Sequence, residues 1–171
     1  MKLISRPNYY QKLESVLGKG VLIVLTGQRR VGKSYVMKEL MARKGRDNGN
    51  NIIYIDKEKT AFDFIVTYKE LVQYIDEHID SSRHNYILID EVQEIADFER
   101  GLRNYYNEDN IDIVVTGSNS DILSGELATL LSGRYVEILV QGLSYSEFLE
   151  FHSLQDDEKS LGKYMNYGGL P

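Results

Sequence analysis

The sequence predicts an α/β fold, a parallel β-sheet with helices on both faces, on three observations. Short β-rich apolar runs alternate with segments of helical periodicity along most of the chain. Three of those runs, "VLIVLT" (21–26), "YILID" (86–90) and "DIVVTG" (112–117), are nearly continuous in apolar residues, as strands buried on both faces of a parallel sheet require. The length of 171 residues suits one domain with a proper core and is short for two.

Each element follows from its own pattern. After the first strand, "KSYVMKELMARK" (33–44) places Val36, Met37, Leu40 and Met41 on one helical face. The polar stretch "RKGRDNGNN" (43–51) reads as a surface loop. "NIIYID" (51–56) is the second strand, and Asp56 and Glu58 at its end read as solvated loop charges. In "FDFIVTYKELVQYIDEHI" (62–79), Ile65, Tyr68, Val72, Ile75 and Ile79 recur at helical spacing. "DFERGLRNYY" (97–106) repeats this with Phe98, Leu102 and Tyr105 between the third and fourth strands, and "YVEILV" (135–140) is the fifth strand. Sheets of this kind bind ligands at the carboxyl ends of their strands, and the chemically suggestive residues fall there.

The first such group is "GQRRVGKS" (27–34), a full match to G-x-x-x-x-G-K-[ST] between a buried strand and an amphipathic helix. Gly27 and Gly32 let the backbone turn inward so that successive N–H groups face phosphates, with Gln28, Arg29, Arg30 and Val31 between them. Lys33 reaches the β and γ phosphates, and Ser34 offers its hydroxyl to Mg²⁺. The following helix adds a favourable partial charge, and Tyr35, next to Ser34, is counted with the nucleotide-binding residues. Arg29 and Arg30 stay unassigned between phosphate, partner and solvent.

The second group is "DEVQ", with Asp90 and Glu91 closing the third strand. Asp90 is the candidate metal ligand, and Glu91 the candidate base that orients and deprotonates an attacking water. Gln93 would either help place that water or serve as a capping or solvated residue. A carboxylate beside the metal ligand favours water as nucleophile, and the chain lacks the N-K-x-D motif for guanine, so ATP is the expected nucleotide. The fourth strand ends in Thr116, Ser118 and Asn119. A polar group there would bond the γ phosphate or the water, with Asn119 the preferred sensor and Ser118 next, although this cluster also suits a helix N-cap.

The remaining bounds are exclusions. With no cysteine there are no disulfides or thiolate metal sites, and His78, His84 and His152 lack metal-ligand spacing. A formal net charge of −6 and no basic–aromatic stretch argue against nucleic acid as a partner of this domain. No apolar run is long enough to span a bilayer and no signal peptide opens the chain, so no membrane association and a cytoplasmic location are expected.

Taken together, these residues resemble the AAA+ branch of P-loop ATPases, in which "VVTGSNSDILSGELATLLSGRYVEI" is similar to the stretch from sensor asparagine to arginine finger. More narrowly, "LTGQRRVGKSYVMKEL", "LIDEVQEI", "TGSNS", "LSGR", "LSYSEFLEF" and "YGGLP" resemble archaeal and bacterial predicted ATPases with an AAA domain followed by a C-terminal domain of unknown function. The resemblance implies a three-layer P-loop NTPase of the ASCE/AAA+ type, with a five-stranded parallel sheet in the order 5-1-4-3-2. It implies ATP and Mg²⁺ as cofactors, ADP as product, Asn119 as sensor and Arg134 as a finger completing a neighbour's site in a homo-oligomer. It divides the chain into a nucleotide-binding core, 1–142, and the start of a truncated helical lid, 143–171. It also places Tyr9 or Tyr10 near the adenine, the alternative being an N-terminal helix that packs these rings on the sheet. The leading expectation is an ATP hydrolase that drives or gates an attached module and acts on an unidentified protein partner. The competing ones are a nucleotide-gated switch with negligible turnover and, from "DEVQ", a helicase-like motor.

Overall fold

In the computed structural model, which describes residues 4–117 and 134–170, five parallel strands form one sheet in the order β2-β3-β4-β1-β5. This is the expected order read from its other edge. The strands are β1 (Leu22–Thr26), β2 (Asn50–Asp56), β3 (His84–Asp90), β4 (Ile111–Thr116) and β5 (Tyr135–Leu139). The helices are α1 (Pro7–Val16), α2 (Lys33–Lys44), α3 (Tyr68–His78), α4 (Phe98–Leu102), α5 (Tyr145–His152) and α6 (Glu158–Tyr167).

Side chains on a strand alternate between faces, and here both faces are apolar. Leu22, Val24, Ile53, Ile55, Ile87, Ile89, Ile113 and Val115 meet Leu71 and Ile75 of α3 and Phe98 and Leu102 of α4 on one side. Ile23, Leu25, Leu88 and Val114 meet Leu13 of α1 and Val36, Met37 and Leu40 of α2 on the other. The continuous apolar runs are therefore the middle layer of three, and they need hydrophobic residues at every position for that reason.

Two boundaries differ from the sequence expectation. The helical pattern from residue 62 becomes a helix only at Tyr68, because Thr67 and Glu70 form a reciprocal capping box that fixes the start. The segment before it forms a short 3-10 turn, Thr60–Phe62, and buries Ile65 separately. The loop expected over 43–51 narrows to residues 45–49, since α2 runs through Lys44 and β2 begins at Asn50.

Past β5 the chain turns through Ser144, whose side chain and Glu147 form a second capping box at the start of α5. The α5–α6 pair returns to this turn: the Gly169 carbonyl accepts from the Leu143 N–H at 2.5 Å, and the Tyr164 hydroxyl donates to the Leu143 carbonyl. Among the described residues, no helix is long and apolar enough to cross a membrane.

Ile87 lies fully buried in the middle of β3, an interior strand of the sheet. Ile87→Ala is expected to lower the unfolding free energy by about 2–5 kcal/mol, read from urea denaturation with an unchanged slope.

Candidate functional site

The carboxyl ends of β1, β3 and β4 lie level because the register sets Leu25 beside Thr116 and Ile89 beside Val115. The chain leaves β1 into a turn at Gly27 with φ 141°, where an added Cβ would sit 2.2 Å from the Val140 carbonyl oxygen. Gln28, Arg29 and Arg30 are exposed, Arg30 with φ 67°. Val31 then buries its side chain in the core and anchors the loop from inside. Gly32, at φ 98° and ψ 25°, is the N-cap of α2. This is an inward-facing backbone followed at once by the positive end of a 12-residue helix, a geometry suited to an anion.

Lys33 is buried, with its ammonium donating to the carbonyls of Gly27 at 3.0 Å and Gln28 at 3.2 Å. It lies along its own loop. Ser34 and Tyr35 follow in the first turn of α2, both half-buried. A cavity of about 720 Å³ opens here, and Arg29, Arg30, Lys33 and Ser34 line it together with Glu91 and Glu94.

Asp90 is buried at the end of β3 and accepts a hydrogen bond from the Thr116 hydroxyl. The same hydroxyl accepts from the Glu91 N–H at 3.0 Å. That bond helps hold Glu91 in the left-handed region, φ 55° and ψ 54°, which few non-glycine residues adopt. Glu91 is thereby turned out of the strand toward the cavity. Its carboxylate accepts from the Gln93 amide at 2.5 Å, whereas the Gln93 carbonyl oxygen is buried and finds no partner among the described residues. Gln93 is thus neither a cap nor a solvated residue, and its engagement with Glu91 is a contact the sequence did not disclose.

Asp56 corrects a second expectation. It is buried rather than solvated, because parallel pairing of β2 and β3 sets it beside Asp90. The Tyr54 hydroxyl lies 3.4 Å from a carboxylate oxygen of each. Burial, then the charges of Asp90 and Asp56, raise the Tyr54 pKa far above the ordinary phenol value, so it stays protonated as a donor. Lys59 stands 3.4 Å from Asp56, and Glu58 remains exposed.

Tyr9 and Tyr10 sit on α1 against the core, and the Tyr9 hydroxyl accepts from the Gln141 N–H at 3.0 Å. Arg134 is exposed at the amino end of β5, where its carbonyl accepts from Leu22 at the start of β1. Its guanidinium donates to the Asn107 side chain at 2.8 Å. It therefore lies at the opposite end of the sheet from its own phosphate loop. Ser118 and Asn119 lie outside the described residues.

A family model described as an AAA domain matches residues 19–149. An uncharacterized protein of Haemophilus influenzae is 37% identical over 177 residues, covering 99% of this chain and 44% of its own length. The chain spans less than half the length of the curated relatives it matches. Among solved structures, the Saccharomyces cerevisiae Hsp104–ADP complex superposes with a TM-score of 0.70 at 16% identity, covering 99% of this chain and 29% of that one. Cdc6p from Pyrobaculum aerophilum superposes with a TM-score of 0.63 at 13% identity, covering 89% and 49%. At these identities the likeness concerns the fold.

Gly27→Ala forces a Cβ onto the Val140 carbonyl, whereas a Cβ at Gly162 meets nothing within 4 Å. The first is expected to destabilise by about 3 kcal/mol or more and the second, inside α6, to stabilise by about 0.5–1 kcal/mol, as thermal unfolding of the two variants would report.

Proposed function

This chain belongs to the AAA domain family and has the nucleotide-binding AAA+ P-loop ATPase fold, and on that premise we propose that it is a Mg²⁺-dependent ATP hydrolase. The observation that carries the reading is the pairing of Lys33 and Ser34, at the start of α2, with Glu91 in the lining of one cavity and Asp90 beside it.

The site fits magnesium by its donors. The Ser34 hydroxyl and Asp90 carboxylate are hard oxygen ligands, and the buried Asp56–Asp90 neighbours leave negative charge that a cation offsets. Among the described residues, no three His, Asp or Glu converge as a metal site, so phosphates and water would supply most ligands. Bound Mg²⁺ supplies charge neutralisation at the β and γ phosphates.

The chain's own residues do the rest. The N–H groups of the loop and of the α2 start bind the phosphates, and Lys33 shifts from the Gly27 and Gln28 carbonyls onto them. Thr116 holds the Asp90 carboxylate and the Glu91 backbone in one arrangement. Glu91 takes the proton of the attacking water. Asn119 serves as the sensor in this reading. Arg134, at the far end of the sheet, acts on a neighbouring copy in a homo-oligomer.

The segment 143–171 is the start of the helical lid, and hydrolysis drives or gates a module attached beyond it, in keeping with relatives more than twice as long. A nucleotide-gated switch with slow turnover is the second reading. It is favoured by the Gln93 amide already engaging the Glu91 carboxylate. Tight ATP binding with single-turnover hydrolysis over many minutes would select the switch over the hydrolase.

Lys33→Ala is expected to abolish ATP binding in calorimetry. Glu91→Gln should retain ATP and lower turnover by about 10²–10⁴-fold; wild-type turnover in that variant would overturn the base assignment. Mixing Arg134→Ala with Glu91→Gln subunits of a verified oligomer is expected to recover activity, since one interface then carries both an intact base and an intact arginine. Absence of recovery would remove the role in trans.

A further inference from the structure

Arg6 lies outside every motif of the sequence, yet it is only 4% exposed and each of its three guanidinium nitrogens donates a hydrogen bond. Nη1 donates to the Val31 carbonyl at 3.1 Å. Nη2 donates to the carbonyls of Gln141 and Gly142 at 3.0 and 3.1 Å. Nε and Nη2 grip the two oxygens of Glu147, each at 3.1 Å, in a forked ion pair. The Arg6 N–H also donates to Glu39 of α2, and the Tyr9 ring lies 4.4 Å below the guanidinium. The guanidinium thus joins the phosphate loop, the turn after β5 and helix α5, while the backbone N–H of the same residue reaches α2.

We propose that Arg6 is a positioning residue of the phosphate cradle, fixing the Val31–Gly32 peptide and tying it to α5. The proposal rests on the nucleotide-binding reading above. All peptides among the described residues are trans, so the Gly32 N–H points opposite to the Val31 carbonyl, away from Arg6. Gly32 lines the cavity, and its N–H is thereby aimed at the seat of the anion. A charged donor on the carbonyl also polarises the peptide and strengthens its N–H as a donor. Gly32, at φ 98° and without a Cβ, restricts that peptide less than another residue would. Glu147 supplies the counter-charge. Burial disfavours its ionised form, but the hydrogen bonds from Arg6 and Ser144 outweigh that and lower its pKa below the ordinary value. The same carboxylate closes the capping box of α5, so movement of α5 pulls on the ion pair and through it on the cradle.

The test compares the full wild-type chain with Arg6→Gln, Arg6→Lys and Glu147→Gln, reading ADP affinity by calorimetry and the Gly32 amide nitrogen shift by NMR. Arg6→Gln is expected to bind ADP roughly tenfold more weakly and to move the Gly32 signal before nucleotide is added. Arg6→Lys, which keeps charge and loses the fork, should recover part of both, and Glu147→Gln should shift both by less. A folded Arg6→Gln chain with wild-type affinity overturns the proposal. So does lost affinity with an unmoved Gly32 signal, which would mean general loosening. Should Arg6→Gln fail to fold, Glu147→Gln decides, and no change in either readout overturns the proposal. A wild-type chain without ADP affinity would overturn the nucleotide reading instead, and the Gly32 signal would still report whether Arg6 sets that peptide.

Discussion

The parallel ladder of β3, β4 and β1 is the constraint on which the rest of the molecule depends. Parallel pairing sends all three strands toward the same edge, and their register brings them to it within one residue of each other. Asp90, Thr116 and Gly27 become neighbours there although they lie far apart along the chain. A slip of one residue in any of these strands would turn the side chains to the other face and remove the carboxylate from the loop it serves. The buried faces oppose that slip, since every residue of β1 and β4 is buried and most are aliphatic.

Around this row, the polar groups are held by one another rather than by solvent. Thr116 donates to one carboxylate and accepts from the next residue's N–H, coupling the two acidic positions through one hydroxyl. The left-handed Glu91 is an unfavourable backbone conformation, of order 1–3 kcal/mol, that persists because neighbouring bonds over-determine it. Tyr54 plays the complementary part on the other side, lying between two buried carboxylates as a neutral donor. Hydrogen bonds made in advance of a ligand reduce the ordering that a ligand must impose.

The phosphate loop is secured from three sides by different physics. Val31 holds it by burial, Lys33 by hydrogen bonds to its carbonyls, and Arg6 by a charged donor from outside. The Arg6–Glu147 pair also joins the beginning of the described chain to the helices that follow the sheet. Arg134 stands apart from this assembly, about the length of β1 away.

The sequence by itself determined the parallel α/β class, the five strands and the residues of the phosphate loop. Each rests on a local cause: continuous apolar runs need two covered faces, and a glycine-bounded turn before a helix has few alternative shapes. The acidic pair was legible for the same reason, as polar residues that end an apolar run. Only the tertiary structure decided that Asp56 is buried beside Asp90, that Gln93 engages Glu91, and that Arg6 braces the loop. The helix start at Thr67 was written in its capping box but hidden by an apolar period that ran past it. The difference is physical: local patterning sets how a segment folds, whereas the worth of a charge depends on which partners pairing and packing bring to it.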